Sequence, residues 1–219
     1  MTHIARSFAL CLAGATSALL APAPSTATVM PRLSLRDLVG SAQRIFIGTA
    51  LRAKSRWTDD GRFIVTDTVV RIDQSLDGAA ASGGTVIVSE LGGSVDGIGL
   101  RVAGSTELPL GQQVLLFAQG ASTGPLRVVG MRQGAYLLAR DAQGRTLAQR
   151  RLAGLELRPL AAPGAAERTT GPRDPTGSIG APNTIFLDEL VAQVRETISA
   201  CATTTDRCRP VWIRPTAAK

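Results

Sequence analysis

The sequence predicts a mainly β fold: an antiparallel barrel or sandwich of five or six strands, with a short helix before it and a longer helix after it. Three observations carry this. Between residues 44 and 151, short runs rich in Val, Ile, Thr and Leu follow one another at regular spacing, with no helix-sized gaps between most of them. Thr58-Asp59-Asp60-Gly61 separates two of these runs, and Asp-Gly between β-forming segments is a strong hairpin signal. Apolar residues recur at helical spacing over only one long stretch, Leu187, Leu190, Val191, Val194 and Ile198.

In chain order, Ser34 precedes Leu35-Arg36-Asp37-Leu38-Val39. Asp37 stands three residues after Ser34, as in a capping box with Asp for Glu, so a short helix should open here and end near Gly40. Strands are expected at Arg44–Arg52, with Gly48 as a bulge or close-approach point, then at Phe63–Ile72 and Thr85–Leu91. Val114–Ala118 is apolar at every position and reads as a strand buried on both faces. Leu126–Met131, Ala135–Arg140 and Arg145–Arg151 complete the β region. Gly92-Gly93-Ser94-Val95-Asp96-Gly97-Ile98-Gly99 reads as a hairpin tip, and such tips carry binding function disproportionately often. Leu160–Pro182 is crowded with Pro and Gly and nearly devoid of large apolar residues. The expected organisation is therefore a β-barrel domain over 28–152, a flexible loop over 153–183, and a helix with a closed tail over 184–219. The helix is expected at about Phe186–Ala200, with Asp188 and Glu189 favouring its N-terminal dipole.

The first 27 residues say where the protein works. Arg6 is the only charged side chain before Arg32; a largely apolar run follows it, then Pro22, Pro24 and Ser25-Thr26-Ala27. This describes a secretory signal peptide cut between Ala27 and Thr28, hence a secreted or periplasmic protein with no stable membrane anchor once cut. A spanning helix needs about 20 apolar residues, more than this run offers, and the residues before Cys11 do not make a lipobox. Cleavage removes His3, the only histidine, and Cys11, the odd cysteine. Cys201 and Cys208 remain, and in an exported chain such a pair reads as a disulfide.

The net charge of +7 invites an anionic partner. Nucleic acid is disfavoured, since the arginines are scattered, the chain is only 4% aromatic, and export removes it from the genome. A Ser-His or Cys-His dyad is impossible without histidine. Lys54 and Ser55 would point to opposite faces of a strand, and no metal shell or cofactor motif is present. Asp73-Gln74-Ser75-Leu76-Asp77-Gly78 imitates the start of a calcium loop, but Gly84 stands where the bidentate Glu is needed, so it reads as a strand-ending turn. Paired carboxylates could support hydrolysis, from Asp59, Asp60, Glu90, Asp96 and Glu107; Glu90 is the best single candidate for a buried acid, although a place on the exposed rim is the expected reading. Asp59 and Asp60 are better explained as turn residues. Trp57 and Trp212 read as buried anchors rather than a carbohydrate platform.

Leu38–Ala50, Val70-Arg71-Ile72 leading to Ser75–Gly78, Val86-Ile87-Val88, and Leu110–Phe117 with its glycine-led entry together resemble netrin-like domains, which include the tissue inhibitors of metalloproteinases. The same order resembles that of exported bacterial proteins of unassigned function. The match spans roughly residues 33–140 and implies an OB-type barrel. In the animal inhibitors the mature N-terminal residue is a cysteine that chelates the protease zinc; Thr28 would stand there in this chain. The function expected is a non-enzymatic exported module that binds a protein or envelope component through loops such as 92–105, with Gly92, Gly93, Asp96, Gly97 and Arg101 as candidate contacts. Metalloprotease inhibition and a carboxylate-dependent hydrolase are the alternatives.

Overall fold

The computed structural model describes residues 28–78, 82–121, 124–159, 181 and 183–202. The expected signal peptide, Cys208 and Trp212 lie outside these residues. The described residues open with β1 (Thr28–Pro31) and a helix of about two turns, α1 (Leu35–Ser41). The Asp37 amide donates to Ser34 Oγ at 3.2 Å and the Ser34 amide donates back to Asp37 Oδ2 at 2.9 Å, which satisfies two N-terminal donors reciprocally. The strands β2 (Arg44–Trp57), β3 (Ile64–Ser75) and β4 (Thr85–Leu91) form a long meander. The small hairpin of β5 (Gly93–Val95) and β6 (Ile98–Leu100) follows. Then come β7 (Gln113–Gln119), β8 (Arg127–Val128), a 3₁₀ turn at Met131–Gly134, β9 (Ala135–Arg140), β10 (Thr146–Gln149), β11 (Leu155–Arg158), β12 (Thr184–Phe186) and α2 (Leu187–Ala202).

The β2–β3 hairpin turns where Asp60-Gly61 demands it. Gly61 takes φ +67°, and the Thr58 and Phe63 backbones close the turn at 2.8 Å. Gly48 is both bulge and contact point: the β2–β3 register shifts between Ile47 and Gly48, and a Cβ there would overlap the Arg71 carbonyl oxygen.

The main sheet runs β12-β10-β9-β7-β2-β3-β4, every pair antiparallel, with β8 added to β7. It is not a closed barrel, which corrects the closed architecture expected from the sequence. The run expected as a strand from Leu126 to Met131 supplies only two strand residues, because Gly130 takes the left-handed conformation at φ +62° and the chain coils into the 3₁₀ turn. What joins β4 to this run is a single parallel bridge, Val88 with Leu126. The Leu126 amide donates to the Ile87 carbonyl and the Ser89 amide to the Leu126 carbonyl, each at 2.8 Å.

Strand β7 is buried on both sides, as its unbroken apolar run predicts. Leu115 and Phe117 face one cluster with Tyr136, Leu138 and the helix residues Leu38, Leu190 and Val194. Val114, Leu116 and Ala118 face the other, with Phe46, Val70 and Val88. The stripe on α2 is therefore packing surface, and the two helices share one side of the sheet.

Two buried polar side chains tie the segments at 31–33 and 181–183 to this framework. The fully buried Gln133 accepts from the Leu33 amide at 2.9 Å and donates to the Pro31 carbonyl at 3.1 Å. The buried Arg150 guanidinium donates to the carbonyls of Ala181 and Gln133 and, at 2.9 Å, to Asn183 Oδ1, and it lies 5.4 Å from the Tyr136 ring centroid. Its charge faces carbonyl dipoles and a ring rather than a carboxylate, and burial holds its pKa below the ordinary arginine value.

Two further expectations need correction. The segment expected as a loop over 153–183 contains β11, which pairs in parallel with β1, Thr28 opposite Leu155. Trp57 is not a buried anchor: it ends β2 and is 37% exposed.

Leu116→Ala should lower unfolding free energy by roughly 2–5 kcal/mol in urea titration, since the side chain is fully enclosed. Gly48→Ala, which adds one methyl against the Arg71 carbonyl, should cost about 1–3 kcal/mol in the same measurement.

Candidate functional site

The side of the meander away from the helices carries small and polar residues toward its β4 end. Registers place Ser55 of β2, Thr66 of β3 and Glu90 of β4 in one row, and Ala53, Thr68 and Val88 in the next. Thr66 Oγ1 donates to the Gly92 carbonyl at 2.7 Å, and the Ser55 hydroxyl lies 2.9 Å from it. This bond seats the β5–β6 hairpin over the row. Gly93 is required there: its φ is +129°, and a Cβ would overlap both Ser55 Oγ and Thr66 Oγ1.

The opposite wall is the segment 101–108. The Ser105 hydroxyl donates to the Leu91 carbonyl. Arg132 holds the segment from behind, donating from Nε to the Ser105 carbonyl at 2.7 Å and lying 3.5 Å from Glu107 Oε1. Between hairpin and wall is a cleft of about 660 Å³ whose lining includes Glu90, Thr68, Thr106 and Leu108.

Glu90 is the chemically distinctive group in this cleft. Its Oε1 accepts from the Val128 amide at 2.6 Å. Burial pushes the carboxyl up to about 7, against the opposing pull of the Val128 amide, the Arg127 charge and the Thr106 amide. A carboxyl poised there exchanges its proton near neutral pH, and can donate a hydrogen bond when protonated or meet a cation when ionised. Glu107 also borders the cleft but is exposed and paired with Arg132. Thr106 Oγ1 is buried without a hydrogen-bond partner among the described residues.

Of the candidate contacts, Gly92, Gly93 and Arg101 line the cleft together with Glu90. Asp96 and Gly97 do not: with φ +50° and +79° they form the turn between β5 and β6, at the hairpin's far end. Asp60 accepts from the Thr58 hydroxyl and serves its turn. The calcium-like residues are committed separately. Asp73 accepts from Thr49 at 2.6 Å, Arg71 at 2.9 Å and Gln113 at 3.0 Å, while Asp77 accepts from the Ile45 amide and Ser75. Among the described residues no group of three potential metal ligands converges. Lys54 and Ser55 do face opposite ways, opposite Asp67 and Thr66 respectively.

Sequence reasoning missed Thr66, Thr68, Ser105, Thr106 and Leu108. The alternation of Thr66 and Thr68 was a signal, since it places polar residues on the side of β3 that Val70 and Ile72 bury. Its meaning depends on the register with β4, which no local pattern contains.

Because the folded state holds the Glu90 proton more tightly than the unfolded chain, its stabilising effect is complete below about pH 4.5 and is lost as pH rises through about 7. Glu90→Gln keeps an acceptor for Val128 and removes the titration. The variant's melting temperature should therefore fall less than that of the parent between about pH 5 and 8, as calorimetry at several pH values would show.

No family model matches this chain, and neither a curated protein nor a solved structure matches it.

Proposed function

We propose that this chain is an exported, non-enzymatic binding module that holds a protein or cell-envelope component in the cleft above Glu90. The observation that carries the reading is the cleft itself: a preformed hollow of about 660 Å³, roofed by a glycine-built hairpin, in which Glu90, Thr68 and Thr106 stand among apolar surface from Leu91, Val102 and Leu108. The Glu90 carboxyl supports binding rather than turnover, because the Val128 amide fastens it to the framework. The hydrolase alternative would ask one tethered carboxyl to act with an exposed, ion-paired Glu107.

The metalloprotease-inhibitor reading draws less support. Thr28 would have to offer its amine and carbonyl to a protease zinc, but it lies in register along β11, with its amide on the Gly154 carbonyl and its hydroxyl on the Ala103 carbonyl. The resemblance to netrin-like domains retains a place in the architecture. We read β2, β3, β4, the 126–128 run and β7 as a partly open OB-like barrel, since that run touches β4 on one side and β7 on the other. Export with cleavage after Ala27, and a Cys201–Cys208 disulfide that pins the end of α2, belong to the same proposal.

Gly99 provides the test, because it lines the cleft and a Cβ added there meets only the Gly93 carbonyl, 4.0 Å away. Gly99→Leu should place an apolar side chain at the cleft from a Cβ that meets no atom closer than 4.0 Å. Affinity capture from the exported fraction should recover a partner with the parent protein and lose it with this variant at unchanged melting temperature. A partner retained equally by both would remove the cleft from the function. On the same sample, mass spectrometry should find Thr28 at the N-terminus and, without reduction, the peptide containing Cys201 joined to that containing Cys208.

A further inference from the structure

The helices cover only part of their side of the sheet. Their cluster reaches Ile45 and Ile47 in the first half of β2 and ends there, with the rest of the cluster on β7, β9 and β10. Among the described residues nothing covers the outer side chains of the second half of β2, which lie exposed beside β3 and β4. Three of those side chains are cationic: Arg52, Lys54 and Arg56 alternate along the strand, roughly 7 Å apart. Their cross-strand rows are Arg52 with Val69 and Ile87, Lys54 with Asp67 and Ser89, and Arg56 with Val65 and Leu91.

Arg56 is neutralised locally, its Nε 2.7 Å from Asp67 Oδ2 and its Nη1 3.7 Å from Asp59. Arg52 and Lys54 have no ion-pair partner among the described residues, although both border the shallow hollow that Val69 and Ile87 also line. Ile87 is 45% exposed, and Leu51, displaced by a second register shift in β2, is equally so. The surface is therefore basic along one strand and apolar along the strand two positions over.

We propose that this uncovered outer side of β2, β3 and β4 docks the protein reversibly on an anionic lipid bilayer, Arg52 and Lys54 meeting headgroup phosphates while Ile87 and Val69 enter the interface. The choice of a bilayer over a soluble polyanion rests on the apolar rows. A polymer of phosphates or sulfates is held by charge alone and gains nothing from Ile87. A bilayer interface rewards buried apolar area and cationic side chains together, and the stems of Arg and Lys lie along apolar surface while their heads reach phosphate. Such contact is peripheral, and it uses neither the cleft nor Glu90. The two proposals therefore fail separately.

The test is flotation of the purified protein with vesicles of phosphatidylcholine alone and of phosphatidylcholine with about a third phosphatidylglycerol, at low salt and at about 0.15 M salt. Binding is expected only to the anionic vesicles. Each basic residue near such a surface is worth about five-fold in affinity, so Arg52→Glu with Lys54→Glu should weaken binding more than ten-fold. Ile87→Asn should weaken it several-fold, most visibly at the higher salt, where charge is screened. The charge-matched control Arg36→Glu with Arg195→Glu, on the helices, should stay within about two-fold of the parent. Circular dichroism and melting temperature identify any variant that fails to fold, and Arg52→Gln with Lys54→Gln then replaces the reversal. The proposal is overturned if anionic vesicles do not float the protein or if the control loses as much as the reversal. It is equally overturned if Ile87→Asn binds like the parent while soluble polyphosphate competes fully, which would leave a charge-only site.

Discussion

β8 is two residues long, so the β4 end of the sheet has almost no ladder to pair with, and the Glu90 carboxyl supplies part of what is missing. The backbone contributes one parallel bridge at Val88 and Leu126. One step further on, the Val128 amide donates to a side chain instead of a strand. A buried amide left unpaired there would cost about 1–3 kcal/mol. The same bond brings the 126–128 run against β4, and with it the enclosed side of the sheet on which Phe46, Val88, Leu116 and Val128 pack. Seam and cleft thus share one residue, and the burial that lets Glu90 close the seam is also what raises its proton affinity.

The sheet divides its two sides between different tasks. On one side α1 and α2 complete a core around Phe117 and Tyr136, whose rings lie 6.3 Å apart. Toward β4 no helix among the described residues covers that side, which carries the basic row of β2. On the other side the interior is apolar from Phe46 to Val128 and turns polar at Thr68, Thr66 and Glu90, where the β5–β6 hairpin leaves a hollow instead of closing the layer. Gln133 and Arg150 hold the segments at 31–33 and 181–183 to this plan through backbone groups and the Asn183 amide, which lets a buried cation and a buried amide stand without a carboxylate partner.

Much of this was legible in the sequence where the cause is local. Thr85–Leu91 and Ala135–Arg140 are strands with the expected bounds, because β-forming residues run between turn residues on both sides. Gly48, Gly61 and the Ser34–Asp37 pair act through backbone conformations or hydrogen bonds that span a few residues. The double-sided burial of β7 follows from having no polar residue over Val114–Ala118. Glu90 stood out among the carboxylates from its place at a strand end before Gly92-Gly93, but an exposed rim was the expected reading, and its partial burial comes from segments that only the fold brings to it. Beyond that, the site was not readable: Thr66, Thr68, Ser105 and Thr106 become neighbours of Glu90 only through cross-strand register and a loop that returns to β4.

What the sequence determined by itself is the set of elements that short-range physics controls: turns where glycine permits a positive φ, strands where branched residues fill a pleat, and a helix where apolar residues recur each turn. Tertiary structure decided the remainder. β1 and β11 are strands because Thr28 meets Leu155, far along the chain, and neither segment has enough β-forming residues to declare itself. Leu126–Met131 fails to be a full strand because Gly130 must bend the chain close under Leu33. The sheet does not close for the same reason. Pairing and burial are properties of partners, and the partners are chosen only when the whole sheet assembles.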